Sequence, residues 1–544
     1  MKLLPIAVQL QGVNGTPNRE TGNPMTRLTT ALASILLVST VGAARAQTSQ
    51  PITIRGLGTI SFPTSTHSAA AESTFVRGVL LLHVFQYGDA AEAFRAAERL
   101  DPTMALAYWG EAMTHDHPVW DQEDVAAARA ALAKYAPTAA AREAKAPTPR
   151  ERLYLHAVDI LFGGGPKAQR DTLYSRAMKT LLATYSTDDE ARAFYALSLL
   201  GLSQGVRDVP TYLHAAAIAE SVFARNPHHP GAAHYWIHGM DDPAHAAQAL
   251  PAARALSAIA PNAAHAQHMT SHIFMALGMW KDVVRANENA MRVVDSMRAL
   301  RAQPPTFCGH YNLWLEYGYL QRGRTDDART LMEKCELQAV RPTADAQDPD
   351  NTLLGSAVQM WTRYILDTRD WSGDQAHWTP DFGSARYPRI TWEFTRGFAA
   401  ARRGDVQTAR DAQRGFQRLR TQLMAAIAAK REPDPNDAEY RKRLDVLGLE
   451  LDAALQLADT PADSDSAVAL LRRATQIEDS MAFAFGPPYV DEPAHEMLGD
   501  VLLRHGRFTE AALEFQAALE RAPGRVSATR GLERARAGTA HGTP

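Results

Sequence analysis

Cysteine is nearly absent from this chain. Only Cys308 and Cys335 occur in 544 residues, so no disulfide framework organises the fold. No long Lys/Arg run exists, and formal charges nearly cancel, with 57 basic and 60 acidic residues. Without a basic footprint, nucleic acid is not an expected partner. No alternating apolar and polar run is long enough for a sheet. Beyond the first 46 residues no apolar run spans a bilayer, so the mature chain is expected to carry no membrane span. Complete catalytic motifs are missing too. Gly201-Leu202-Ser203-Gln204-Gly205 has the letters of a nucleophile elbow but follows a helix, where a strand is required. Gly163 to Lys167 lacks phosphate-loop spacing, and His495-Glu496 lacks the second histidine of a zinc protease.

What remains is an apolar, helix-prone chain, 46% hydrophobic and 22% charged, which suits a folded protein. Its N-terminus reads as a secretory signal. Arg27 precedes the apolar run Ala31 to Ala44, and Ala44-Arg45-Ala46 is a small-x-small cleavage site before Gln47. Residues 1–24 are unlike a signal, so 25–46 is an alternative extent, starting at Met25. Removal of 1–46 leaves 53 basic and 59 acidic residues, a net of −6. The expected compartment is therefore periplasmic or extracellular. There Cys308 and Cys335, at opposite ends of one expected helix pair, can bridge; two buried thiols are the alternative.

Residues 47–72 are polar and read as an extended leader. Helix pairs are expected from near Ser73, then near 105–135, 149–185, 188–226, 230–260, 264–297, 309–339, 352–376, 390–420 and 439–477. Thr148-Pro149-Arg150-Glu151 is a capping box with proline at the first helical position, and Thr187 with Glu190 has the same spacing. Breaks rich in Pro, Asp or Ala at Pro137–Pro149, Arg341–Asn351, Lys430–Asp437 and Asp459–Ser466 suggest an N-terminal array over 73–340 and a C-terminal one over 341–534, with a loose tail over 535–544.

Eight of the 19 histidines fall between His228 and His272. They repeat with a step of 34: Pro227 maps onto Pro261, His234 onto His268 and His238 onto His272. His234 and His238 are spaced i,i+4, so one helical face presents both rings. His265, His268 and His272 share a face of the next unit. Imidazoles gathered in this way can bind Zn²⁺, Fe²⁺ or Cu²⁺. The predicted ligands are His234, His238, His268 and His272, with Asp241 one turn beyond His238 adding a carboxylate. The same rings can instead hydrogen-bond a ligand, with Tyr235 and Trp236 as core. Asp242-Pro243 reads as a helix start, with His245 facing outward on the second helix. A second unusual stretch, Tyr108 to Trp120, holds His117-Pro118-Val119-Trp120. It either joins the same site, with His117 and Trp120 as ligand contacts, or is an aromatic packing turn.

Gly78, Leu81, Tyr87, Ala90, Phe94, Ala97 and Pro102 fall at the spacings of the tetratricopeptide repeat (TPR), as do Leu498, Gly499, Gly506, Phe508, Ala511, Phe515, Ala518, Leu519 and Pro523. The chain thus resembles the TPR family. The resemblance implies an all-α, TPR-type α-solenoid of about ten helix pairs. In that family the first helix of each unit lines the concave groove, which would place His234, His238, His265, His268 and His272 there. Over most of 60–380 the chain also resembles a subgroup of uncharacterised bacterial TPR proteins. The motifs are His117-Pro118-Val119-Trp120, His265/His268/His272 followed by Ile273-Phe274, and Gly278-Met279-Trp280. The expected function is binding of a protein segment or small ligand on the concave face. The alternative is a metal-binding protein or metal-dependent enzyme built on the five groove histidines.

Overall fold

The computed structural model describes residues 51–203, 206–340, 353–430, 434–460, 464–483 and 485–541. The signal-like segment lies outside these. Helices follow one another almost without interruption. They are α1 (Ala69–His83), α2 (Tyr87–Leu100), α3 (Ala105–Met113), α4 (Val125–Tyr135), α5 (Ala139–Lys145), α6 (Pro149–Leu161), α7 (Lys167–Thr184), α8 (Asp189–Gly201) and α9 (Val209–Arg225). The middle of the array comprises α10 (Pro230–Gly239), α11 (Leu250–Ile259), α12 (Ala264–Ala276), α13 (Trp280–Leu300), α14 (His310–Gln321) and α15 (Thr325–Ala339). The remainder are α16 (Leu353–Thr368), α17 (Tyr387–Arg402), α18 (Val406–Ala428), α19 (Pro435–Asp459), α20 (Ser464–Asp479), α21 (Ala494–Arg504), α22 (Phe508–Arg521) and α23 (Val526–His541). The fold is an all-α solenoid of TPR-type helix pairs. Among the described residues, no helix is long and apolar enough to cross a membrane.

The glycine and phenylalanine spacing explains how neighbouring units interlock. Phe94 on α2 is fully buried between Gly78 of α1 and Gly110 of α3; a Cβ at Gly78 would lie 2.7 Å from its ring. Phe515 on α22 sits in the same way between Gly499 of α21 and Gly531 of α23. Each ring fills the space that two missing side chains leave, so one aromatic joins three helices.

Several boundaries differ from expectation. The segment read as an extended leader turns back on itself in a hairpin, β1 (Ile52–Ile54) against β2 (Gly58–Ile60). Thr59 N–H donates to the His228 carbonyl at 3.0 Å, and Phe62 packs among Phe75, Trp109 and Tyr154. α1 therefore starts at Ala69, capped by Ser68. A two-residue hairpin, β3 (Asp116–His117) and β4 (Gln122–Glu123), interrupts the pair expected over 105–135. The Thr148 box forms only half: its hydroxyl accepts from Glu151 N–H, while Glu151 Oε1 accepts from Ser65 N–H and Oγ–H. Thr187 caps nothing; Asp188 is the cap of α8, and Glu190 turns inward. Asp242 accepts from Ala244 and His245 N–H in a turn, and α11 starts only at Leu250. α16 is followed by a short 3₁₀ turn, Asp374–His377, rather than a second helix. The tail expected from 535 is helical through His541, with Ala535 buried.

The stack returns to itself. The turn after α12 meets the turn before α23: a Cβ at Gly278 would lie 2.6 Å from the Pro523 carbonyl, and Trp280 Nε1–H donates to the Gly524 carbonyl at 2.7 Å. Gly278 has φ of +68°, so glycine is needed here both for the turn and for the approach. Beside it, Arg525 is 1% exposed and reaches Glu496, Asp367 and Tyr317 from three other helices.

Candidate metal centre

α10 packs against α12, and the start of α14 meets α12 at His268. The first two start 34 residues apart, so equivalent positions align. The fifth residues are His234, His268 and Trp314, and the ninth are His238, His272 and Gly318. The five predicted histidines do not line an open groove. Their residues are 0–6% exposed, enclosed by Phe85, Trp120, Tyr311 and Trp314. Phe85 has φ of 54°, a strained conformation for a bulky residue, and its ring lies 4.3 Å from that of His234.

The rings divide into two sets, each able to hold an ion. His234, His238 and His265 form one; His268, His272 and His310 form the other. In the first, His234 Nε2 is 3.1 Å from His238 Nε2 and 3.2 Å from His265 Nε2. Nitrogens bound tetrahedrally at the usual zinc distance sit about 3.3 Å apart. His234 donates its Nδ1–H to the His83 carbonyl at 2.7 Å, which leaves Nε2 as a bare lone pair. That lone pair faces two neighbours and can accept one proton at best.

The second set makes the same point more sharply. His268 Nδ1–H donates to Asn287 Oδ1 at 2.7 Å, and Asn287 Nδ2 donates to the Val283 carbonyl, which fixes the amide orientation. His272 Nδ1–H donates to Asp241 Oδ2 at 2.5 Å. Both Nε2 atoms are thus proton-free in the neutral rings, yet they lie 3.2 Å apart. Two lone pairs held this close need a cation between them. A proton shared between them would serve. So would a metal ion, which also uses His310 at the exposed start of α14. Burial, with charged neighbours second, pushes His238, His265 and His268 well below the ordinary histidine pKa. Burial also pushes His234 down to about 3. Neutral imidazole is the form that binds metal.

A third group with atoms close enough to hold an ion lies beside them: His83, Glu190 and His229. His83 Nε2 lies 2.7 Å from Glu190 Oε2, and His229 Nε2 lies 3.2 Å from Oε1. His83 Nδ1 meets Tyr235 Oη, and His229 Nδ1 accepts from Ala232 N–H. His229 Nε2 and Glu190 Oε1 face each other without forming a hydrogen bond. Burial pushes the Glu190 carboxyl up, but the two histidines outweigh it and hold it at about 2. This cluster ties α1, α8 and α10 together, and its carboxylate sets it apart from the two all-histidine sets.

The predicted residues therefore fall into three groups. His234, His238, His268 and His272 converge, but as two sets rather than one, because His265 joins the first pair and His310 the second. Asp241 orients His272 from the Nδ1 side and is not grouped with the ligating nitrogens. His117 stacks on Tyr87, with ring centroids 3.8 Å apart, and belongs to neither set. Trp120, 42% exposed, covers His265 edge-on. His245 is half-buried and bonds Asp242, which pairs with Arg207. A cavity of about 70 Å³ borders Asp241 and His272, walled by Met275, Trp280, Tyr317 and Met481.

No protein-family model and no curated sequence matches the chain. Solved structures similar to it are helical-repeat proteins. The human IFIT1 dimer with m7Gppp-AAAA is 11% identical, with 88% of this chain and 92% of that chain covered, at a TM-score of 0.34. Yeast Tom70 is 11% identical, with 87% and 90% covered, at 0.30. The P58(IPK) TPR domain is 14% identical, with 87% and 99% covered, at 0.20.

Proposed function

We propose that this chain is a metal-binding α-solenoid protein that holds one transition-metal ion in each tris-histidine set, with Zn²⁺, Fe²⁺ or Cu²⁺ as the candidates that suit imidazole. The observation that carries this reading is the 3.2 Å approach of His268 Nε2 to His272 Nε2 while both rings turn Nδ1 to an oxygen, of Asn287 and of Asp241. The support behind each ring fits as well. His234, His268 and His272 each direct Nδ1–H to an oxygen and leave Nε2 for a metal, the arrangement that fixes a ligating histidine. Three protein ligands per ion leave a coordination position open, as in catalytic rather than structural metal sites. The small cavity beside His272 favours a small ligand over a protein segment. The Cys308–Cys335 bridge and the signal-like N-terminus favour an exported protein.

The test is metal content of protein purified without a His-tag, followed by calorimetry with Zn²⁺. Two ions per chain are expected. His238→Ala with His272→Ala, one ligand from each set, should abolish both while helicity is kept. Equal binding by the double variant would refute the assignment. Export is checked separately: the mature chain should begin at Gln47, and a cytosolic protein that retains the segment from Met25 would rule it out.

A further inference from the structure

The charge balance inside the chamber narrows the metal and points to a co-ligand. This step rests on the two tris-histidine sites proposed above. Imidazole is a neutral ligand, and neither set contains a carboxylate or a thiolate. Among the described residues one buried carboxylate, Asp241, touches the six rings, through His272 Nδ1. Its neighbour Asp242 is already matched by Arg207 at 2.6 Å. Much of the remaining wall is aromatic: Phe85, Trp120, Tyr311 and Trp314. Two divalent ions would bring four positive charges into this space against one carboxylate, so each would need an added anion in its open coordination position. Two cuprous ions bring half as much. Cuprous copper is also satisfied by three nitrogen donors, whereas zinc completes a tetrahedron with a fourth ligand.

The two sets are adjacent. His238 and His272 have ring centroids 6.0 Å apart, and His265 and His268 6.1 Å, against 4.8 and 5.1 Å for the pairs within a set. Two-metal sites hold their ions about 3.5–4 Å apart, a span that one diatomic ligand bridges. We propose that the two sets form a single dinuclear copper centre that takes up dioxygen between its ions. Each cuprous ion gives one electron. Dioxygen gains both, loses its O–O π bond and is held as peroxide by new copper–oxygen bonds to the two cupric ions. No proton and no outside reductant enters. The charge of the assembly is the same before and after, so uptake requires no new buried counter-ion.

The experiment uses the full mature chain, loaded anaerobically with Cu(I) and then exposed to dioxygen. The expected result is two copper ions per chain, one dioxygen consumed per copper pair, and no Cu(II) electron paramagnetic resonance signal, because spins coupled through the bridge cancel. His310→Ala removes an exposed ligand at a helix start and should leave the fold intact. It should lower copper to one per chain and abolish oxygen uptake. A wild-type spectrum that integrates to two isolated Cu(II) ions, an absence of oxygen consumption, or undiminished uptake by His310→Ala each overturns the proposal. Two zinc ions bound with copper excluded would leave the metal sites standing and sink the dinuclear copper reading alone. No uptake of any metal sinks both.

Discussion

Replacing Phe515 by alanine tests whether the terminal unit is locked in place by one ring. Phe515 is fully buried, between helices whose facing residues are Gly499 and Gly531. A Cβ at Gly499 would already lie 3.0 Å from the ring, so the fit is tight on that side as well as on the Gly531 side. Loss of a buried phenylalanine costs about 3–5 kcal/mol, and more where the cavity cannot collapse. Here collapse is opposed because α23 is held elsewhere, by Arg525 on Tyr317, Glu496 and Asp367. The upper half of that range is therefore expected. Gly531→Ala should act in the opposite sense, by overpacking, at a cost of about 1–3 kcal/mol. Combined with Phe515→Leu it should cost less than the sum of the two, since each change relieves the other. Hydrogen exchange over 494–541 reads the effect locally, and denaturant unfolding reads it globally. A loss under about 1 kcal/mol for Phe515→Ala, or strict additivity of the pair, would refute the interlock.

Arg525→Met should cost about 3–5 kcal/mol by denaturant unfolding, because it leaves Asp367 and Glu496 buried without their cation; a neutral outcome would show that those carboxyls simply take up protons. Reduction of Cys308–Cys335, which are 27 residues apart, should cost about 3–4 kcal/mol by loop entropy, and a Cys→Ser pair should match it. His495 is buried, which opposes its charge, but its bonds to Glu514 and Asp479 outweigh this and raise its pKa to about 9. The stability it contributes is complete below the unfolded value of about 6.5 and is lost as pH rises to about 9. The melting-temperature gap between wild type and His495→Gln should close over that window, and a constant gap would refute the linkage.

The repeats at the two ends were legible because their chemistry is local. A phenylalanine sixteen positions from a glycine on either side, as at Gly78, Phe94 and Gly110, encodes an interlock that needs no knowledge of the rest of the fold. The hairpins were not legible, since strands of two or three residues are too short to show alternation. β2 forms because Asn226 and His228 offer it partners across some 170 residues. The second capping box failed for a different reason. Asp188 competes for the cap next to Thr187, and Glu190 is drawn inward by His83 and His229, neither of which is near it in sequence.

The histidine centre was half legible, and the division follows the repeat. A step of 34 carries α10 onto α12, so the fifth and ninth positions of both helices point the same way and His234, His238, His268 and His272 could be named together. The step then breaks. α13 runs for 21 residues and is followed by the loop that holds Cys308, so α14 starts 46 residues after α12. His310 therefore stands outside the period and escaped notice, although it completes the second set. His265, which completes the first set, sits at the second position of α12, where α10 has Gly231, and a side chain at Gly231 would strike His83. The absence of a side chain at that position lets the His83–Glu190–His229 cluster form. That cluster places the His83 carbonyl where it takes the proton of His234 Nδ1. The bare nitrogen that makes His234 a ligand is thus set from α1, more than 150 residues earlier, and no pattern within the histidine block could have shown it.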